Sequence, residues 1–208
     1  MIISHKHKFV FVKLNKTAGT SLEMALVDFC RKDDIMTLSD HFIKKTKFPK
    51  GDRDMGGFNS HVSIKEIIES HPETKDYFKF CVERHPAERT ISLYYHFRGR
   101  KFNRKKMPNI SISSFIKHGY PTRLHERGYK LYTIDDEVAV DKVFYYEDLN
   151  GMIKSLKSRL GIGPLRLGKA RVGQRKDKRS YKEILNKQDL KGIKQLFKKE
   201  INLHGYKI

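Results

Sequence analysis

The sequence predicts an α/β domain of three layers, a central, mainly parallel sheet flanked by helices. Short β-rich apolar runs alternate with stretches whose apolar residues fall at helical spacing. The first of these runs passes through a small-residue loop directly into a helix. No internal repeat, low-complexity linker or apolar run near the roughly 20 residues of a membrane span interrupts the pattern. At 208 residues, one domain over 1–208 with a real core is expected.

The elements follow in order. Phe9-Val-Phe-Val12 reads as a buried strand, and 13–19 as a loop. Residues 20–31 read as a helix, with Leu22, Ala25, Leu26 and Phe29 on one face. The stretch 40–59 is basic and aperiodic, a surface excursion, and 62–70 is a short helix carrying Ile64, Ile67 and Ile68. Tyr77-Phe-Lys-Phe-Cys-Val82 is a second strand, Arg84-His-Pro-Ala a turn, and 88–97 a helix with Ile91, Tyr94 and Tyr95. A basic loop at 102–109 precedes a short helix at 113–118. Lys142-Val-Phe-Tyr-Tyr146 is a third strand, followed by a helix to about Leu160. Residues 161–179, rich in Gly, Lys and Arg, form a basic loop, and 189–203 a terminal helix with Leu190, Ile193, Leu196, Phe197 and Ile201 inward.

Composition narrows the function classes. Ten Tyr and 13 Phe supply enough apolar area to exclude a disordered chain. With 44 Lys and Arg against 24 Asp and Glu, the formal charge of +20 attracts polyanions: nucleic acid, an anionic membrane, an acidic glycan or a multiply phosphorylated nucleotide. Charge alone does not choose among them. Cys30 and Cys81 read as buried free thiols, and no zinc spacing includes them. His5 and His7 have no third ligand in view, so no metal is expected. The opening Met-Ile-Ile-Ser-His-Lys-His-Lys is no signal peptide, which points to a cytoplasmic protein without a transmembrane segment.

Two segments carry chemistry. A strand ending in a small-residue loop that opens a helix traps anions, because backbone N–H groups and the helix dipole face the ligand. Here Lys16 adds a cation, Thr17, Thr20 and Ser21 add hydroxyls, and Ala18 and Gly19 allow close backbone approach. The order is not that of a Walker A loop, where Gly-Lys-Ser/Thr closes the motif. An ordinary strand-to-helix turn remains open on this segment alone. In the second segment Arg84 ends a strand and Ser92 lies two turns along the next helix, placed to grip one phosphate together. An ion pair of Arg84 with Glu88, and helix packing by Ser92, are the plainer alternatives.

Together, Phe11-Val-Lys-Leu-Asn-Lys-Thr-Ala-Gly-Thr-Ser-Leu22 and Phe80-Cys-Val-Glu-Arg-His-Pro-Ala-Glu-Arg-Thr-Ile-Ser-Leu-Tyr-Tyr-His96 resemble the two nucleotide motifs of the PAPS-dependent sulfotransferases (PAPS is 3′-phosphoadenosine-5′-phosphosulfate). The loop, Tyr145-Tyr-Glu-Asp-Leu149 and Leu203-His-Gly-Tyr206 are similar to the carbohydrate, glycan 2-O-type branch. The resemblance implies a P-loop-NTPase-like fold, with PAPS as donor and PAP as product, and no metal. It implies that residues 16–21 hold the 5′-phosphosulfate and that Arg84 and Ser92 hold the 3′-phosphate. Lys16 then neutralises charge on the bridging oxygen. Arg175 and Lys178, in a late basic loop with Lys176 and Arg179, are expected to touch the donor. Asn59-Ser-His-Val-Ser-Ile64 resembles the segment supplying the catalytic histidine of the 2-O branch, so His61 is the candidate general base, with His96 second and a helix-capping role as the alternative. The chain departs from the family at Asn15, where proline is usual, and at His85, where aspartate is common.

The acceptor implied is a carbohydrate hydroxyl, an acidic glycan included. Lys44-Lys45 and Arg104-Lys105-Lys106 are candidate contacts for it. Two other classes stay in view. A small-molecule kinase with an atypical phosphate loop would need Mg-ATP. A basic nucleic-acid-binding domain fits the charge, but no helix-turn-helix, RNP or zinc-finger signature accompanies it, and no nucleic-acid partner is expected.

Overall fold

The computed structural model describes residues 1–48, 54–98, 101–102, 105–106, 109–168, 170, 175 and 177–208. In chain order the elements are β1 (Ile2–Ser4), β2 (Phe9–Val12), α1 (Gly19–Val27), β3 (Ile35–Met36), α2 (Asp40–Ile43), α3 (Ile64–Ser70), β4 (Phe78–Glu83), α4 (Pro86–Phe97), β5 (Lys101–Phe102), β6 (Lys105–Lys106), α5 (Ile112–Lys117), α6 (Thr122–Glu126) and α7 (Tyr129–Tyr132). There follow β7 (Thr133–Ile134), β8 (Glu137–Val138), β9 (Lys142–Tyr145), α8 (Leu149–Leu160), α9 (Tyr181–Ile184), α10 (Lys187–Leu196) and α11 (Lys198–His204). The chain divides into two compact units, one of residues 1–83 with 130–171 and one of residues 84–129 with 172–208.

The first unit holds a five-stranded sheet in the order β3-β1-β2-β4-β9. β2 pairs parallel with β4, and β4 with β9, while β1 is antiparallel to both β2 and β3. Only β1 therefore runs against the other four. The three strands read from the sequence are all present. β1 and β3, too short to show a period, were not legible.

Alternation along each strand sends Phe9, Phe11, Phe80, Val82 and Phe144 to one face, where Leu22 and Leu26 of α1 and Met152, Leu156 and Leu160 of α8 close the core. Phe80 is its centre, with ring centroids 5.3–5.9 Å from Phe9, Phe11, Phe78 and Phe144. Helix α1 stops at Val27, short of the expected Arg31. Phe29 and Cys30 N–H turn to Leu26 and Val27 carbonyls at 3.0 Å, a tightened last turn. Buried Asp34 fastens that turn to the β1–β2 hairpin, accepting from Ser4 Oγ at 3.0 Å, His5 N at 2.6 Å and Arg31 N at 2.9 Å.

The second unit is largely helical. Ala87, Ile91 and Tyr94 of α4, Phe115 of α5, Leu124 of α6, Ile193 of α10 and Phe197 share its core. Helix α4 begins at Pro86, two residues earlier than the periodicity predicts, with proline at its first position where the missing N–H costs nothing. The single terminal helix expected over 189–203 is two helices, divided at Phe197 (φ −107°, ψ 28°). Its apolar spacing continues unbroken across that position, so the break left no trace in the pattern.

Candidate active site

In the sheet unit, β2 delivers the chain to a loop with two non-glycine residues at positive φ, Lys16 (67°) and Ala18 (63°). Each such residue costs about 1–2 kcal/mol, so the surrounding structure over-determines the loop. Thr17 Oγ donates to the Leu14 carbonyl at 3.3 Å and closes the loop from inside, which makes the buried Thr17 hydroxyl a brace. Gly19 is small for a reason the sequence did not give. A Cβ there would lie 2.8 Å from Lys13 Cγ and 3.3 Å from the Leu14 carbonyl oxygen, so glycine lets the start of α1 pack against the end of β2.

The start of α1 is open. Ala18 offers no side-chain cap and the first turn holds no acid. By contrast, α3 and α10 are closed by capping boxes and α8 by Asp148, while α4 and α11 have Glu88 and Glu200 in their first turns. Among the described helices of seven residues or more, α1 alone has neither. The Leu22 N–H makes the first helical bond, to Ala18 O at 3.1 Å, so the N–H groups of Gly19, Thr20 and Ser21 precede the helical ladder. Ser21 Oγ accepts from the Ala170 N–H at 3.3 Å, which leaves the hydroxyl hydrogen to be donated.

His61 joins this loop through Lys13. Its Nδ1 is 2.9 Å from the Lys13 carbonyl, which can only accept, so Nδ1 carries the hydrogen of that bond. Capping of α3 falls to Ser63, whose Oγ accepts from Glu66 N at 3.2 Å while Glu66 Oε2 accepts from Ser63 N at 2.9 Å. The Lys13 side chain is turned the other way and is buried against Glu23, which also meets the Met1 ammonium and Thr37 Oγ. Burial works to raise the Glu23 carboxyl, but the Met1 and Lys13 cations outweigh it and hold the group below its usual range. The sequence had flagged neither Lys13 nor Glu23. The available signal was an acid inside the apolar stripe Leu22–Ala25–Leu26.

In the helical unit, Arg84 directly follows β4. Its Nη2 lies 3.9 Å from Glu88 Oε2, at the limit of an ion pair. Glu88 is held more closely by Arg175 Nη1 at 2.6 Å and by the Tyr181 N–H at 2.9 Å. The Arg175 guanidinium also donates to the carbonyls of Asp177, at 2.7 Å, and of Arg179. Asp177 in turn accepts from Arg179 at 2.7 Å and from Tyr95 Oη at 3.2 Å, and the Arg179 contacts hold its carboxyl far below the usual range. Arg175 and Tyr181 thus meet α4 at Glu88, and Asp177 meets it at Tyr95. Ser92 shares that helical face, four residues past Glu88 and three before Tyr95.

Arg84 and Arg175 therefore both meet Glu88, a joint that sequence reasoning missed, and Ser92 lies on the same face of α4. Lys178 is exposed, and Lys176 and Arg104 lie outside the described residues. His85 stacks on Tyr181 (4.6 Å, 25°), and its Nε2 lies 3.0 Å from the Lys207 carbonyl, so it donates where an aspartate would accept. His96 packs its ring against Phe97 at 5.6 Å. Arg89, fully buried, donates to the Leu124 and Arg127 carbonyls at 3.3 Å. Among the described residues no three His, Cys, Asp or Glu side chains converge as metal ligands, and no helix is long and apolar enough to cross a membrane.

The sequence matches the profile of the Sulfotransferase family over residues 1–207. Among solved structures it is similar to mouse sulfotransferase SULT7A1 complexed with PAP, with a TM-score of 0.57 and 12% identity over 95% of this chain and 86% of that one. No curated protein sequence matches it.

Proposed function

The chain belongs to the sulfotransferase family, and from that premise we propose that it moves the sulfuryl group of PAPS to a carbohydrate hydroxyl, with His61 as general base. The observation that carries this reading is the open start of α1 beside Lys16, with His61 fixed on the adjoining Lys13 carbonyl. The mouse relative with PAP supports the choice of donor.

The roles follow from the groups. The N–H groups of Gly19, Thr20 and Ser21, the hydroxyls of Thr20 and Ser21 and the Lys16 ammonium hold the 5′-phosphosulfate, with Thr17 and Ala18 shaping the loop. Arg84 and Ser92 hold the 3′-phosphate. Arg175 keeps Glu88 in place beside Arg84, and the exposed Lys178 is the second donor contact of that region. The donor supplies the sulfuryl group. Nε2 of His61 accepts the acceptor's hydroxyl proton as its oxygen attacks sulfur in line with the departing phosphate. Lys16 meets the charge that grows on the bridging oxygen, stabilisation aimed at the transition state. The family places no metal in this chemistry.

The test is transfer from PAPS to a panel of free sugars and oligosaccharides, followed by PAP release and product mass. His61→Ala is expected to lower kcat about 10²–10⁴-fold while leaving 3′,5′-ADP binding unchanged, and the acid limb of the pH–rate profile should vanish. An unchanged kcat removes His61 from the chemistry. Sulfation confined to non-sugar hydroxyls removes the carbohydrate acceptor.

A further inference from the structure

Four rings of the helical unit gather at the start of α4. His85, the residue after Arg84, stacks on Tyr181 with ring centroids 4.6 Å apart and 25° between planes. Tyr206 meets the same imidazole edge-on at 5.4 Å, and His204 meets Tyr206 at 5.8 Å. Rings so arranged attract one another beyond the area they bury.

The backbone around Tyr206 is built to reach this cluster. Helix α11 ends at Gly205, whose positive φ of 66° is open to glycine and costly to other residues. The N–H groups of Gly205 and Tyr206 both return to the Ile201 carbonyl, that of Tyr206 at 3.2 Å, and so turn the chain out of the helix. Ile208 then packs against the core of the unit. Between them, the Lys207 carbonyl meets two donors, His85 Nε2 at 3.0 Å and Tyr181 Oη at 3.3 Å. Both lone pairs of that oxygen are therefore used.

The two donors lead back to Arg84 by separate routes. His85 is its chain neighbour, and the His85 carbonyl accepts from Arg89 N at 2.9 Å in the first turn of α4. The Tyr181 N–H donates to Glu88 Oε1 at 2.9 Å, and the other oxygen of Glu88 faces Arg84 Nη2 at 3.9 Å. A shift of the Lys207 carbonyl therefore reaches the Arg84 backbone through His85 and the Arg84 guanidinium through Glu88. We propose that residues 205–208 form a strap that positions Arg84 for the 3′-phosphate of the donor, with His85, Tyr181 and Tyr206 as positioning residues. The proposal rests on the reading of Arg84 as a donor contact and adds to it the device that holds Arg84 in place. The strap also accounts for the departure at His85, because the aspartate common there cannot donate to the Lys207 carbonyl.

The experiment is calorimetric titration of the whole chain with 3′,5′-ADP and with 5′-AMP, which lacks the 3′-phosphate. The double variant His85→Met with Tyr181→Phe removes both donors to the Lys207 carbonyl without adding charge, and Tyr206→Ala removes the edge-on ring. Each should weaken 3′,5′-ADP about tenfold, the worth of one or two net hydrogen bonds, and leave 5′-AMP nearly unchanged. The KM for PAPS should rise by the same factor with kcat kept. His85→Gln, whose amide nitrogen reaches the position of Nε2, should stay close to the wild type. Ser111→Ala removes the cap of α5 in the same unit and controls for lost stability alone. Equal weakening of the two nucleotides, or as large a loss in Ser111→Ala, overturns the strap. Hydrogen exchange at the Arg89 amide, followed without nucleotide, should quicken in Tyr206→Ala, and unchanged exchange there also overturns it. If 3′,5′-ADP fails to bind the wild type while Arg89 exchange quickens in the variant, the strap on α4 stands and the donor reading falls.

Discussion

In the sheet unit, opposite charges are buried against each other: Glu23 sits at 0% exposure between Lys13 and the Met1 ammonium, and Asp34 is enclosed by backbone and hydroxyl donors. In the helical unit the carboxylates fasten segments together, Glu88 to Arg175 and Tyr181, Asp177 to Arg179 and Tyr95, while most of the cations among the described residues remain at the surface. The first unit offers an anion mainly a frame of backbone N–H groups made rigid from behind. The second offers side-chain cations aligned by an acid. In the proposed reading, one phosphate of the donor is held by loop geometry and the other by charge.

The sharpest way to break this contrast is to remove the buried acid behind the loop. Glu23→Gln leaves Lys13 without its carboxylate in the interior and should cost about 3–5 kcal/mol, read as a fall in denaturant midpoint. Because the folded carboxyl is held below its usual value, its stabilisation is full above about pH 4.5 and is lost as pH falls below that range. The variant should show a weaker dependence of Tm on acid pH than the wild type. A wild-type-like acid limb would show that Glu23 does not carry it.

The corresponding change in the helical unit is milder. Glu88→Gln keeps the shape but removes the charge that holds Arg175, and a charge-assisted hydrogen bond at this depth is worth about 1.5–3 kcal/mol. Hydrogen exchange at the Tyr181 amide should accelerate by at least tenfold, with global stability falling less than in Glu23→Gln. Equal global losses from the two variants would erase the distinction between buried frame and surface fastening.

These partners explain what the sequence could and could not yield. The strands at Phe9–Val12, Phe78–Glu83 and Lys142–Tyr145 and the helices around them were legible because each spans several residues of one period. The two-unit division was not, because β4 runs into Arg84 with no linker composition between them. Among the candidate site residues, the loop and His61 were picked out by motif. Glu88 and Arg175 are 87 residues apart, and their pairing exists only in the folded chain. His85 read as the loss of an acceptor, whereas it is a donor seated against Tyr181 and the Lys207 carbonyl.

The smallest effect belongs to the cap that keeps α3 in place behind His61. Ser63→Ala should cost about 1 kcal/mol, visible as a drop in Tm, with Glu66 losing the hydroxyl that holds its carboxyl below the usual range. A change in kcat as large as that of His61→Ala would instead give Ser63 a role in the reaction.

The most direct measurement is a thermal-shift titration with 3′,5′-ADP, against 5′-AMP and ATP–Mg²⁺, in the wild type, Arg84→Ala and Lys16→Ala. At about 100 times its Kd, a ligand bound only to the folded state adds about 2.7 kcal/mol. The account predicts a shift selective for 3′,5′-ADP that Arg84→Ala abolishes and Lys16→Ala reduces. No shift with 3′,5′-ADP, or a larger one with ATP–Mg²⁺, would contradict it.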